Sequence, residues 1–183
     1  MLSKQSLGYC LGLIFLCVQL QAQTITEAQN LLDKGQFVDA QQELEKVLAK
    51  EPDNQEAQLL LGQAHCQQSN FDQAIKALKP LRAALKNRSD LSFWLGQSYK
   101  GKLLATENFL EKGVLSSKVK EYLEKAIALD PQHVEARESI AYFYFSAPGI
   151  VGGSKKKAFK EVEAIRLLDP RRSYVLGGNL HRQ

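Results

Sequence analysis

The chain has 183 residues, room for one domain or a short array of small units. Hydrophobic residues make up 44% and charged residues 24%, and there are only 5 prolines and 12 glycines; wholesale disorder, collagen-like repeats and low-complexity sequence are thereby excluded. A formal net charge of +4 does not by itself imply nucleic acid, and three cysteines hold at most one internal disulfide.

Residues 1–22 have the grammar of a secretory signal rather than of a fold. Lys4 supplies a positive start, Leu7 to Leu20 carry no charge and are mostly apolar, and Ala22 offers a small residue for cleavage before Gln23. The apolar run is shorter than the ~20 residues that a membrane span needs. The alternative is an uncleaved N-terminal anchor. A lipoprotein signal is disfavoured, because Tyr9 and Leu16 precede Cys10 and Cys17 where small residues belong. Cleavage removes one of the 24 basic residues and none of the 20 acidic ones, and it leaves Cys66 as the single thiol. Cys66 reads as a small apolar core residue; the sharper reading is a reactive thiol or an intermolecular disulfide.

From residue 24 the sequence repeats at a period of 34. Ala28, Gly62 and Gly96 are equally spaced, as are Phe37 with Phe71 and Ala40 with Ala74, and Leu61-Gly62 returns as Leu95-Gly96. A small residue at a fixed period lets two helices approach closely, and an aromatic nine residues later fills the space beside that contact. Gly35-Gln36 and Ser69-Asn70 fall where turns are needed.

These residues resemble the tetratricopeptide repeat (TPR). Leu95-Gly96-Gln97-Ser98-Tyr99 matches the first-helix pattern in full, and Ala40 to Leu44 matches the second with Leu for Phe. Pro52, Pro131 and Pro170 close three units, each twelve residues after Ala40, Val119 and Ala158; in the second unit the segment Lys86 to Asp90 turns the chain instead. The first-helix Trp of the pattern is absent, with Thr24, Gln58 and Ser92 in its place. The resemblance implies an all-α solenoid of about four helical hairpins in a right-handed superhelix. Its units span about 24–54, 55–88, 89–133 and 134–172, with a cap or tail at 173–183.

Two departures from the period stand out. Between Gly96 and Val119 there are eleven extra residues. Lys102 to Glu111 reads as helix, ended by Gly113 or Ser116-Ser117, so the third unit is expected to have a lengthened first helix, with Val119 to Leu129 as its second. In the fourth unit, Ala147 to Ser154 (APGIVGGS) is a loop: its Pro and three Gly stop the helix, and Ser154 caps the next one through about Leu168. This loop, with the extended third unit, resembles a subgroup of exported bacterial TPR proteins, which implies a Gram-negative envelope protein.

Motifs for chemistry do not assemble. Gly149 to Lys155 has the order Gly-Ser-Lys, not the Gly-Lys-Ser of a phosphate loop, and Tyr142 to Phe145 before it reads as helix, not strand. What remains of that idea is a helix start at Ser154, beside Lys155 and Lys156, that could hold a simple anion. Ser154-Lys155-Lys156-Lys157 fits S-x-x-K without the partner motifs that penicillin-binding enzymes need. His65, His133 and His181 are not at metal-ligand spacing; His65 takes the repeat's Tyr place in the core, and His133 reads as a solvated turn residue. No enzyme, cofactor or metal is expected.

From Val151 on, eight basic residues, among them Lys155, Lys156, Lys157 and Lys160, face three acids. They read as a solvated helix face or as a basic face that attracts an acidic partner, a cell-wall polymer or anionic lipid. Contact with a membrane surface is compatible with this charge but not predicted, and sparse aromatics and export disfavour nucleic acid.

The resemblance also implies where a partner would lie, on the first helix of each hairpin at three before, one after and four after the recurring small residue. Counting gives Ile25, Leu59, Phe93 and Glu138; Gln29, Gln63, Gln97 and Tyr142; and Leu32, Cys66, Lys100 and Phe145, with Trp94 beside Phe93. The glutamines form a ladder of amides suited to an extended backbone. The Lys, Asn and Arg set of the best-known TPR groove, which clamps a terminal carboxylate, is missing except for Lys100. The expectation is therefore an exported protein in the periplasm, or secreted, that binds an extended segment of mixed or no charge from an envelope protein. The alternatives are an accessory subunit acting through its basic face and an enzyme using the 147–155 loop.

Overall fold

The computed structural model describes residues 24–181, so the segment expected to be a signal, residues 1–22, lies outside it. The described residues form helices joined by short turns, with no strand among them. In chain order these are α1 (24–33), α2 (Phe37–Lys50), α3 (Gln55–Gln67), α4 (Phe71–Leu78), α5 (Ser89–Ala105), α6 (Phe109–Leu129), α7 (Val134–Ser146), α8 (Lys155–Leu168) and α9 (Pro170–His181). Each of α2 to α9 packs on its neighbours in sequence, and first helices of successive units also touch, α3 on α5 and α7 on α9. This is the stacking of a solenoid, in which a hairpin buries its apolar face only against adjacent hairpins.

The recurring small residues mark where the two helices of a hairpin come close. A Cβ added to Gly62 would lie 2.3 Å from Leu78 Cδ2, and one on Gly96 would lie 2.8 Å from Leu123 Cδ2. Ala28, Ala40, Ala74, Ala126, Ala136, Ala141 and Ala158 have no exposed surface at all. The aromatic of the period acts across units: the ring of Phe71, at the start of α4, lies against Gly101 on α5, where a Cβ would come within 2.2 Å of it.

The second unit closes without the usual proline because another proline has already loosened it. Pro80 lacks an N–H and cannot continue the α-helical ladder. The α-helix therefore stops at Leu78, and the chain leaves through a 3-10 turn, Lys79–Arg82, and the turns that follow.

The eleven extra residues are divided differently from expectation. α5 has 17 residues where α3 and α7 have 13, and α6 has 21 where α2 and α8 have 14. Four on the first helix and seven on the second account for the whole insertion. Helix does not run through 102–111, because residues 106–108 are a turn built by capping. Asn108 Oδ1 accepts from the N–H groups of Leu110 and Glu111, and Thr106 Oγ1 donates to Glu111 Oε2 at 2.6 Å. Gly113 and Ser116-Ser117 do not end a helix; they lie inside α6. The longer hairpin projects beyond its neighbours, and its end exposes Leu104, Phe109, Leu110 and Val114.

The Ala147 to Ser154 loop is held by its own backbone. Gly153 N–H donates to Pro148 O, Ser154 N–H donates to Tyr144 O at 2.7 Å, and Ser154 Oγ caps α8 at the Lys157 N–H. Gly152 has φ +99°, a left-handed value that favours glycine. Gly153 is required for a different reason: a Cβ there would sit 1.7 Å from Ala147 O, inside the backbone of the same loop.

Among the described residues the last helix, α9, begins at Pro170, earlier than the expected cap at 173. Asp169 Oδ1 accepts from the Arg172 N–H and Pro170 takes the first helical place, where its missing donor costs nothing. Ser173, Leu176 and Leu180 face inward and seal the end of the core.

The two glycines predict a graded result. Gly152→Ala should cost about 1 kcal/mol, chiefly through φ because the Lys120 side chain it would touch can shift, and Gly153→Ala about 3 kcal/mol because backbone must move. Urea denaturation of the two variants measures the difference, and equal midpoints would contradict this account of the loop.

Candidate binding groove

The inner face of the solenoid is made by the first helices, and α5 lies at its centre. Asp90, Phe93-Trp94, Gln97, Lys100-Gly101 and Leu104 recur every three or four residues, so they share one side of α5 over about 21 Å. This side is the floor of an open cavity of about 690 Å³. One wall is the end of α3 (Cys66, Gln67), Ser69 and Phe71; the other is His133 and Glu135 at the start of α7.

The sequence-derived groove residues divide into three groups. Phe93, Trp94, Gln97 and Lys100 come together in the cavity, with Cys66 of the adjoining row. Phe93 is only 7% exposed and sits mostly in the core, against Trp94 at 4.9 Å and His133 at 4.6 Å between ring centres. Trp94 is half-buried and offers more surface. Gln97 is tied to the next unit, because its Nε2 donates to Ser139 Oγ. Its carbonyl oxygen remains to accept.

Other counted positions do not line the cavity. Leu59 is a correction: it is 1% exposed and packs with Leu78, Leu91 and Leu95, so it presents nothing to a ligand. Gln63 is half-buried outside the cavity, and Gln29 donates to Asp33 within its own helix. Glu138 and Tyr142 are engaged by α9: Arg172 Nη1 lies 3.8 Å from Glu138, and Asn179 Nδ2 donates to the Tyr142 hydroxyl. The last helix therefore occupies the part of α7 that would have continued the row.

His133, Phe71, Asp90 and Glu135 complete the cavity, and counting along first helices does not find them. His133 is a further correction, since it is half-buried against Phe93 rather than a solvated turn residue, and its Nδ1 lies 3.4 Å from Glu135. The repeat places each closing proline just before the next first helix, so Pro131 was the available signal.

The charged residues around the cavity differ in pairing. Arg88 bridges Glu56, Nη1 to Oε2 at 2.9 Å, and Asp90, Nη2 to Oδ2 at 2.6 Å. Glu135 accepts from Arg172 at 2.5 Å, and Lys102 reaches Asp72 on α4 at 2.5 Å. Lys100 has no such ion pair or hydrogen bond among the described residues, and burial holds its ammonium below the usual lysine range, with Cys66 opposing weakly. Burial pushes the Cys66 thiol up, against a hydrogen bond from Ser98 and the charge of Lys100. Cys66 is therefore a neutral thiol at neutral pH, in keeping with its reading as a small core residue.

The basic residues Lys155, Lys156, Lys157 and Lys160 lie on exposed α8, away from this cavity. Lys155 sits 5.0 Å from the Phe145 ring centre and Lys157 sits 5.2 Å from that of Tyr144. Among the described residues no group of three or more His, Cys, Asp or Glu could hold a metal ion, and no helix is long and apolar enough to cross a membrane.

Helical hairpins stacked in register, small residues at their contacts and a groove on the first helices define a TPR solenoid. The tetratricopeptide repeat family model matches residues 19–92, the part before most of α5. Among solved structures, TTC0263, a thermophilic TPR protein in Thermus thermophilus, superposes with a TM-score of 0.75 at 15% identity, over 88% of this chain and 81% of that one. MamA superposes with a TM-score of 0.61 at 23% identity, over 85% and 82%. At these identities the likeness establishes the fold. No curated protein matches the chain significantly.

His65 generates a pH prediction. Its Nδ1 is buried without a hydrogen-bond partner, and burial lowers its pKa below 6.5, with Glu45 opposing. The unfolded chain therefore takes up the proton first. Stability is unaffected above pH 6.5 and falls as pH drops from 6.5 through the lower folded value. His65→Tyr, which places there the residue found at Tyr99 and Tyr144, should flatten that decline relative to wild type in melts from about pH 7.5 to about pH 5. Parallel curves would show that His65 is not its source.

Proposed function

We propose that this protein is a non-catalytic scaffold of the bacterial cell envelope that holds a segment of another protein along α5. The observation that carries the reading is the cavity floored by one side of α5, where Trp94 offers an aromatic surface and Gln97 an acceptor, with Lys100 beyond. TPR solenoids bind protein partners in general, and the fold is shared with TPR proteins. The envelope location is supported by the signal-like residues 1–22 and by the resemblance of the 147–154 loop to that of exported TPR proteins.

A second reading has its own support. Lys155, Lys156, Lys157 and Lys160 are exposed and without a carboxylate partner among the described residues, so the convex side of α8 is a basic face open to an acidic subunit.

Capture from an envelope fraction separates the two. Trp94→Ala should reduce recovery of a stoichiometric partner at least tenfold while circular dichroism shows a folded helical protein, and reversal of Lys155, Lys156 and Lys157 to Glu should leave recovery unchanged. The opposite pattern would move the site to α8. Export has a separate check: intact mass of envelope protein should correspond to a chain beginning at Gln23, and a mass retaining residues 1–22 would show an anchor.

A further inference from the structure

Lys100 is exceptional among the cations near the groove. Arg82 donates to the Tyr122 hydroxyl at 2.9 Å, Arg88 is held by two carboxylates, Lys102 by Asp72 and Lys118 by Glu121. Lys100 is more buried than Lys102 or Lys118, lies in the cavity floor, and has none of these ties. Withdrawing an ammonium from water without a counter-charge is unfavourable, and the cost is recovered only when an anion arrives. None is supplied by the described residues. Asp90 and Glu135 border the same cavity but are bound to Arg88 and Arg172, and Asp90 lies ten residues back along α5, about 15 Å away. Cys66, the nearer group, stays a neutral thiol.

We propose that Lys100 is the anion-recognising element of the groove, and that the segment bound there carries a carboxylate three to four residues from its apolar anchor. This rests on the groove reading above. The spacing follows from helix geometry. Lys100 is six residues beyond Trp94, about 9 Å along α5 and about 120° around it, and extended chain covers that diagonal in three to four residues. Gln97 lies between, one turn from each, with its carbonyl oxygen available to a backbone N–H of the bound segment. The ligand is an extended peptide with Asp or Glu, or a terminal carboxylate, at Lys100 and an aromatic or branched aliphatic residue at Trp94. A lone ammonium without an Arg fork or an Asn beside it contacts a carboxylate as a point charge, so side-chain and terminal carboxylates are chemically equivalent to it.

The test is selection of a random 12-residue peptide library, displayed in parallel with free and with blocked C-termini, against the protein and its Lys100→Met and Trp94→Ala variants. Methionine keeps the volume of the lysine stem, and removal of an unpaired half-buried charge should leave the fold as stable or more so, which melting verifies. Enriched peptides should carry an acid three to four residues from a large apolar residue. Changing that acid to its amide should weaken binding to the wild type about tenfold or more, and should not weaken it further on Lys100→Met. Enrichment confined to free C-termini identifies a terminal carboxylate, and enrichment in both formats a side chain; either supports the proposal. Peptides that lack an acid, bind Lys100→Met as well as wild type and fail on Trp94→Ala would overturn the role of Lys100 and leave the groove standing. Absence of enriched peptides, or enrichment insensitive to both variants, would remove the groove reading and this proposal together.

Discussion

The closest contact in each of the two central hairpins governs the rest of the architecture. Leu78 rests over Gly62 and Leu123 over Gly96 at distances that leave no room for a side chain. That approach brings the second helix of a unit down onto the first, and the first helices are then free to line up beside one another, α3 on α5 and α7 on α9. The cavity along α5 is a consequence of that alignment. Its floor needs no special loop and no strained residue, only a helix whose opposite side is committed to Leu123.

The repeat was legible because close packing leaves a strict mark at a strict interval. Gly62 and Gly96 have no room for a Cβ, and the alanines of the period are fully buried. Ser154 as a cap and Gly152 at positive φ were legible for the same kind of reason, since each answers a local backbone demand. The division of the eleven-residue insertion was harder to see. Apolar residues run through 102–111 at helical spacing, and the break depends on Asn108 and Thr106 out-competing the helix for backbone donors and for Glu111. The Asn-x-x-Glu pattern at 108–111 was the available sign. The early end of α4 was carried by Pro80 alone.

The candidate site was legible only in part, because counting along a helix locates a direction and not a neighbour. Phe93, Trp94, Gln97 and Lys100 were found by phase. Leu59 has the same phase, but the apolar side chains of α4 and α5 close over it. Glu138 and Tyr142 were lost to α9, a helix that docks through Leu176 and Leu180 and so brings Arg172 and Asn179, far away in sequence, onto them. His133 entered the site because a turn residue can reach back to a ring on α5, which no single-helix periodicity describes.

The projecting end of the α5–α6 hairpin has a thermodynamic consequence of its own. In a stack of hairpins, cooperativity passes between neighbours through shared surface. The residues around Leu104 to Val114 extend past α4 and α8, and what holds them is mainly the Lys102–Asp72 pair and the Thr106–Glu111 bond. Their apolar side chains face water, so opening this end forfeits little burial, while the contact of Leu123 with Gly96 stays closed. The tip is thus a low-energy foldon attached to a high-energy one. Its amides will exchange with solvent on a timescale independent of global unfolding, and breathing there leaves Phe93, Trp94 and Gln97, two or more turns back along α5, undisturbed.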